Sequence, residues 1–243
     1  VLFLENVRGL KNHDKGKTLK VILATLDELG YGYSYEVLNA KFFGVPQNRE
    51  RLFIIAWYKG LVDVDSFKFP YGIAENGSTI FDKEKLKDGT LPTKVSDIFE
   101  PSEITSPSFT ISDRMWEGHQ NRKERNRING KGFGFSLFNA DSAYTSTISA
   151  RYWKDGSEIL IDQTELGLNP RTLTPVEAGR LQGYRIIGNG WEHPECANNQ
   201  NYNDSNPEFR IVVSKKEAYR QFGNSVAIPV IKKLAEEILK QLM

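Results

Sequence analysis

The sequence predicts a mixed α/β fold in which a sheet-and-helix unit is interrupted by an irregular, β-rich domain. Three observations carry this. Short apolar runs at residues 1–4 and 52–57 read as strands. Apolar residues at helical spacing lie between them and again at the C-terminus. From about residue 62 to 170, prolines, glycines and scattered aromatics replace that regularity.

Val1, Leu2, Phe3 and Leu4 form a continuous apolar run, as expected for a parallel strand covered on both faces. Leu19, Ile22, Leu23, Leu26 and Leu29 then fall at helical spacing, with Gly30 where a helix would stop. Tyr33, Tyr35 and Val37 alternate like a strand, and residues 52–57 form the next one. Strand, helix, strand, strand is the order of the second half of an α/β sheet.

The insert shows no long periodic helix. A basic stretch from 122 to 131 precedes Gly132, Phe133, Gly134 and Phe135. Residues 149–161 read as a hairpin with Asp155 and Gly156 at its turn. Thr174 and Glu177 have the spacing of a capping box, and Glu177 and Arg180 that of a same-face ion pair. Val230, Ile231, Leu234, Ile238, Leu239 and Leu242 form a helical stripe, with Pro229 at the favoured first position.

Composition excludes several classes. Lys plus Arg, 32, nearly balances Asp plus Glu, 31, so any surface for a polyanion is local. One cysteine and three histidines exclude a disulfide scaffold and leave too few soft ligands for a Cys/His metal site; no metal is expected. Cysteine usage points to a reducing, cytoplasmic compartment, and no apolar run is long enough to span a bilayer.

Four groups of residues carry chemistry. Glu5, Asn6 and Val7 follow the first apolar run, and a carboxylate at a strand end suits a ligand site. Gln47, Arg49 and Arg51 alternate, so an extended backbone would direct them to one face, where two guanidiniums and an amide can hold carbonyl oxygens or phosphates. The third group runs through Arg171, Leu173, Thr174, Glu177, Arg180, Leu181, Gln182, Gly183 and Tyr184. The fourth is Gln221, Phe222, Gly223, Asn224, Ser225 and Val226.

In this order, with a long variable interval between the second and third, the four groups resemble the later conserved blocks of the bacterial DNA (cytosine-5) methyltransferases. The resemblance runs from Val1 almost to Met243. It implies part of a Rossmann-like, S-adenosylmethionine-dependent sheet at residues 1–61. A target-recognition domain would fill 62–170, with an outer limit near 210, and residues 211–243 would return to the catalytic domain.

It further implies a division of labour. Cytosine C5 is a poor nucleophile, so a thiolate first adds to C6 and negative charge grows around N3 and O2. Glu5 would hydrogen-bond or protonate N3, with Asn6 shaping its turn, while Arg51 would stabilise charge at O2. Arg49 and Gln47 would orient the catalytic loop or contact the DNA backbone. Asn224, Ser225 and Val226 would help bind the methionine portion of S-adenosylmethionine. The target base must leave the duplex to reach these groups.

The family's Pro-Cys nucleophile and Gly-rich cofactor loop do not occur in these residues, and Cys196 sits in an unrelated polar stretch. The expectation is therefore a C-terminal portion, inactive by itself, that works with a complementary N-terminal polypeptide if the two halves are separate chains. The partner is double-stranded DNA. Through residues 130–135, 147–162 and 209–226, the recognition region resembles that of the Dcm type, which modifies the inner cytosine of CCWGG. Arg151 and Lys154 would reach guanine edges, and Arg122, Arg125 and Lys131 would meet phosphates. The polar segment 188–206 has no assigned counterpart. A non-catalytic nucleic-acid-binding or regulatory module, or an RNA methyltransferase of the same fold, are the alternatives. A retained acid for N3 argues against pure binding.

Overall fold

The computed structural model describes residues 1–60, 66–101, 105, 108–186 and 209–242. The chain divides into two compact units. The first holds Val1–Gly44, Asn48–Pro92 and Pro229–Met243; the second holds Val45–Gln47 and Thr93–Ile228. The boundary expected after residue 61 falls inside the first unit, and residues 211–228 lie with the second. Cys196 and the segment 188–206 lie outside the described residues.

The first unit is built on a three-stranded sheet in the order β1-β3-β2, from β1 (Leu2–Val7), β2 (Tyr31–Asn39) and β3 (Glu50–Tyr58). Helix α1 (Lys17–Glu28) links the first two strands, and Gly30 follows it with φ +81°. The expected strands and helix are all present, but the strand direction is corrected. β3 runs antiparallel to both neighbours, and among the described residues no strand pairs with β1 in parallel. Nor is β1 covered on both faces: Leu4 and Val7 are exposed. An apolar run fits either direction, because it reports burial and carries no information about pairing.

β3 is the buried centre, with residues 52 to 57 almost inaccessible. One face, Leu52, Ile54 and Ala56, packs on Leu19, Leu23 and Leu26 of α1. The other carries Arg51, Phe53, Ile55 and Trp57, since side chains alternate along a strand. Trp57 packs at a tilt against Phe67, 4.9 Å between ring centres, and the Phe67 ring meets Phe69. A short hairpin, β4 (Gly72–Ile73) with β5 (Thr79–Ile80), and the single turn α2 (Leu86–Gly89) complete the N-terminal part.

In the second unit, α3 (Asp113–Ile128) precedes β6 (Leu137–Phe138) and β7 (Leu160–Ile161), which pair in parallel. Helices α4 (Pro175–Arg180) and α5 (Lys215–Asn224) follow. α3 is a sixteen-residue helix where no long periodic helix was expected, although the basic stretch from 122 also reads as a solvated helix face. Only His119 on it is buried, so it has no apolar stripe for periodicity to detect. Its start is set by Ser112, whose hydroxyl accepts from the Met115 amide.

The hairpin expected over 149–161 is likewise replaced. Tyr152, Lys154 and Gly156 amides each bond back to a carbonyl three or four residues earlier, so the segment coils. Buried Tyr152 explains this: its hydroxyl accepts from the Leu173 amide at 2.8 Å and donates to the Ile159 carbonyl at 2.6 Å. Those two bonds fold the chain around one side chain and leave no room for a ladder. The core of the unit gathers Ile148, Tyr152, Ile159, Leu173, Leu181 and Phe222.

The last helix, α6 (Ile228–Leu242), buries Val230, Leu234 and Ile238 as its stripe predicts. Pro229 occupies its second position, one later than expected. No helix of the described residues is long and apolar enough to cross a membrane.

Candidate functional site

The antiparallel register sets Val7 opposite Arg51 and Glu5 opposite Phe53. Glu5 and Arg51 are therefore diagonal neighbours on one face, a spacing long side chains can bridge. Arg51 Nε lies 3.1 Å from Glu5 Oε1, and its Nη1 donates to the Glu50 carbonyl at 2.8 Å. The pair ends an otherwise apolar face, with side chains 17% and 28% exposed, so both groups are partly desolvated yet reachable. Burial lowers the Arg51 pKa, and the Glu5 charge opposes that shift.

Glu5 lies within β1 and not beyond its end. Asn6 shapes the exit from the strand locally: its Oδ1 accepts from the Val7 amide at 2.9 Å. Arg49 precedes β3 and is 3% exposed. Burial, then the neighbouring Arg51 charge, pulls its pKa down to about 10, with Glu5 acting the other way. A cation at that depth is held for a reason, since burial of charge costs several kcal/mol unless it is compensated, roughly.

Asn39 is the residue that sequence reasoning missed. Its Oδ1 accepts from the Lys41 and Arg49 amides, and its Nδ2 donates to Asn48 Oδ1 at 2.6 Å. One asparagine thus ties the end of β2 to the start of β3, ten residues on. No local pattern signals this, because each partner is distant in sequence or is backbone.

Gln47, expected at DNA, is corrected. It is completely buried in the second unit, with Nε2 donating to the Leu181 carbonyl at 2.9 Å and Oε1 accepting from the Ile148 amide at 3.1 Å. Both ends of its amide are used inside the protein, so it acts as a tie. The Glu177–Arg180 pair is corrected too. The capping box forms, with Thr174 Oγ1 accepting from the Glu177 amide and Glu177 Oε2 accepting from the Thr174 amide. That draws the Glu177 carboxylate back to the helix start, where Arg171 grips both oxygens at 2.7 and 2.9 Å. Arg180 instead donates to the carbonyls of Ile98, Phe99 and Ile186.

The fourth group lies at the end of α5. Asn224 closes the helix and is exposed; Ser225 caps it, its hydroxyl 2.8 Å from the Tyr184 hydroxyl. Val226 is half-buried and its carbonyl accepts from Ser225 Oγ at 3.2 Å. Gly223 just before them lies against backbone: a Cβ there would fall 2.3 Å from Ser149 and Ala150 atoms.

Of the residues expected at DNA, Arg125, Lys131, Arg151 and Lys154 are exposed. Lys154 Nζ lies 5.6 Å from the ring of Trp153, which Lys216 also approaches, at 4.5 Å. Arg122 differs from them. Its Nε and Nη2 donate to the Gly134 carbonyl at 3.1 and 2.9 Å, its Nη1 to Asp155 Oδ2 at 2.9 Å, and Nη2 to His119 Nδ1 at 2.9 Å. Among the described residues, no group of three or more His, Cys, Asp or Glu could hold a metal ion.

Comparison with known proteins matches residues 1–185 and 192–240 to the model of the C-5 cytosine-specific DNA methylase family. The chain is 48% identical over 235 residues to the type II methyltransferase M.NlaX of Neisseria lactamica, covering 97% of this chain and 61% of that protein. It is 44% identical to M1.ScrFI of Lactococcus lactis subsp. cremoris, covering 98% and 51%. A DNA-cytosine methyltransferase of Escherichia coli is 33% identical, covering 98% and 50%. The chain therefore spans about half to three fifths of the length of these relatives. Among solved structures, a methyltransferase of Entamoeba histolytica superposes with TM-score 0.65 at 17% identity, covering 99% of this chain and 62% of that one. The S. pombe Dnmt2 methyltransferase gives 0.64 at 18%, covering 99% and 66%. Both share the mixed α/β fold of this chain.

Proposed function

The chain belongs to the C-5 cytosine-specific DNA methylase family, and we propose that it supplies the base-holding and DNA-reading part of a DNA (cytosine-5-)-methyltransferase of a type II restriction-modification system. The observation that carries this is the Glu5–Arg51 pair, an acid and a fork of donors fixed side by side at one end of a sheet face. The complete enzyme has a Rossmann-like sheet with an inserted recognition domain, and its target is CCWGG-like.

Glu5 holds the flipped cytosine at N3 and accepts from the exocyclic amine. Arg51 meets O2, so charge that grows across N3 and O2 during attack at C6 is shared by an acid and a cation already in position. Arg49 adds a second positive charge behind Arg51. The thiolate is supplied by a segment outside these 243 residues, in the same polypeptide or on a complementary one. Without that thiolate the chain does not methylate DNA.

S-adenosylmethionine supplies the methyl group when bound. The donor set at the end of α5 fits its methionine portion. The exposed Asn224 amide both donates and accepts, and the carbonyls of a helix C-terminus carry partial negative charge that favours an ammonium group. Asn224, Ser225 and Val226 would hold that portion.

The test combines the chain with a polypeptide carrying the nucleophile and with duplex DNA containing 5-fluorocytosine at candidate sites. A covalent protein–DNA complex that forms with wild type and fails with Glu5→Gln is the expected result. A complex that forms equally with Glu5→Gln overturns the role of Glu5, and no complex at all overturns the base-holding reading.

A further inference from the structure

Two segments of the second unit expose cations beside aromatic rings. One runs from 131 to 136 and carries Lys131 and Phe133; the other runs from 151 to 157 and carries Arg151, Trp153 and Lys154. They are about twenty residues apart, and neither is a regular strand or helix along its exposed part. What they share is their mounting on α3.

The first segment lies flat on the helix. A Cβ on Gly134 would fall 2.5 Å from the Lys123 Cα, so only a glycine lets this backbone touch α3. Phe135 packs its ring 4.9 Å from Trp116, beneath the Lys123 ammonium at 4.3 Å. The second segment is held through Asp155, whose carboxylate meets Arg122 and whose carbonyl meets His119 Nε2 at 3.2 Å. The Ser136 amide donates to the Ser157 carbonyl at 2.9 Å, which joins the two segments directly.

Arg122 bonds both segments at once, alongside the packing on Lys123 and Trp116 and the bond from Asn126 to the Phe133 carbonyl. A guanidinium offers five donors in a rigid fork and no acceptor. Here that fork reaches Gly134 on one segment, Asp155 on the other and His119 on its own helix. A lysine has one charged centre on a flexible stem and cannot make that set. With four hydrogen bonds already made to Gly134, Asp155 and His119, the half-buried Arg122 fork has little left to offer a phosphate.

We propose that Arg122 is a positioning residue for DNA sequence reading: it locks the 131–136 and 151–157 segments onto α3 so that they act as one reading surface. This rests on the DNA-binding reading above. It replaces the expectation that Arg122 contacts phosphate.

The experiment uses the full chain as wild type, Arg122→Met and Arg122→Lys. Hydrogen exchange on the free protein is expected to show both segments exchanging at least tenfold faster in each variant, with α4 and α5 unchanged. Exchange that rises in one segment only, or in neither, overturns the proposal. The same proteins are then used to select from a randomised duplex pool at several salt concentrations. Wild type enriches a motif; both variants flatten it at several positions while the slope of log affinity against log salt stays the same.

A slope reduced by about one with the motif intact, and restored by lysine, makes Arg122 a phosphate contact and sinks the proposal. If wild type binds no duplex, the DNA-binding reading fails, and with it the functional half of the proposal. The exchange result still decides whether Arg122 mounts both segments.

Discussion

Arg51 Nε sits 3.1 Å from Glu5 Oε1 across two antiparallel strands, and neither residue has to move from its strand to make the pair. A carboxylate and a guanidinium so held are already oriented, which is what a site stabilising developing charge requires. The same pair is a poor source of stability, because it is partly solvated.

Glu5→Gln and Arg51→Met should therefore separate activity from folding. In an enzyme completed with the nucleophile-bearing part, Glu5→Gln is expected to lower the methyl-transfer rate by about 10²–10⁴-fold, the usual span for a positioned acid. Unfolding of the chain in urea should change by less than about 1 kcal/mol for either variant. A large stability loss with a small rate loss would make the pair structural.

The buried Arg171–Glu177 pair predicts the reverse. Its side chains are 5% and 0% exposed, and Glu177 also accepts from the Glu100 and Thr174 amides. Arg171→Met leaves the buried Glu177 carboxylate without its countercharge and with only two amide donors, and should cost about 3–5 kcal/mol in urea unfolding. By contrast, Arg127→Ala, which breaks an exposed pair with Glu124, should leave the urea midpoint nearly unchanged.

Two glycines should respond oppositely to alanine. Gly223→Ala drives a methyl into the backbone of Ser149 and Ala150 and should destabilise by about 1–3 kcal/mol. Gly118, inside α3, has no atom within 4 Å of its would-be Cβ, so Gly118→Ala should stabilise by about 0.5–1 kcal/mol. Melting temperatures of the two variants check both signs.

Acid should loosen the α3 cluster in two stages. Arg122 can only donate, so His119 Nδ1 accepts and Nε2 carries the proton given to the Asp155 carbonyl. Burial, then the Arg122 charge, lowers the His119 pKa from 6.5, with Asp155 opposing. The unfolded chain thus binds this proton more readily. The contribution is complete above pH 6.5 and is lost as pH falls through the window below it. For Asp155, burial raises the pKa, but the bonds from Arg122 and Ser157 outweigh it and the net shift is downward from 3.8. Its contribution is present above 3.8 and is lost as pH falls through the lower folded value. Urea midpoints at pH 7.5 and 5.5 should differ less in His119→Gln than in wild type; an equal difference would exclude His119 as the source.

What could be read from residues alone follows from which forces are periodic. β3 and the helices α1 and α6 bury apolar residues in a run or a stripe, which is visible in a single chain. The apolar run of β1 and the alternation of β2 are legible although those strands are half-buried or exposed along most of their length. The Thr174–Glu177 capping box was legible because it spans three residues and satisfies neighbouring amides. α3 was not, because its solvated faces carry no stripe. The coil around Tyr152 was not, because two hydrogen bonds to distant backbone outweigh a local alternation that suits a hairpin.

The sequence by itself pointed to the family, to β1, β2, β3, α1 and α6, and to the residue types available for chemistry: Glu5, Arg49, Arg51 and the Asn224–Val226 cluster. Only the tertiary structure decided which groups meet. It set β3 antiparallel between its neighbours and so brought Arg51 to Glu5. It sent Gln47 into the interior, gave Glu177 to Arg171 instead of Arg180, and spent the Arg122 fork on Gly134, Asp155 and His119. The physical reason is common to all four. A polar side chain that loses water must find its partners wherever the fold brings them, and those partners need not lie near it in the chain.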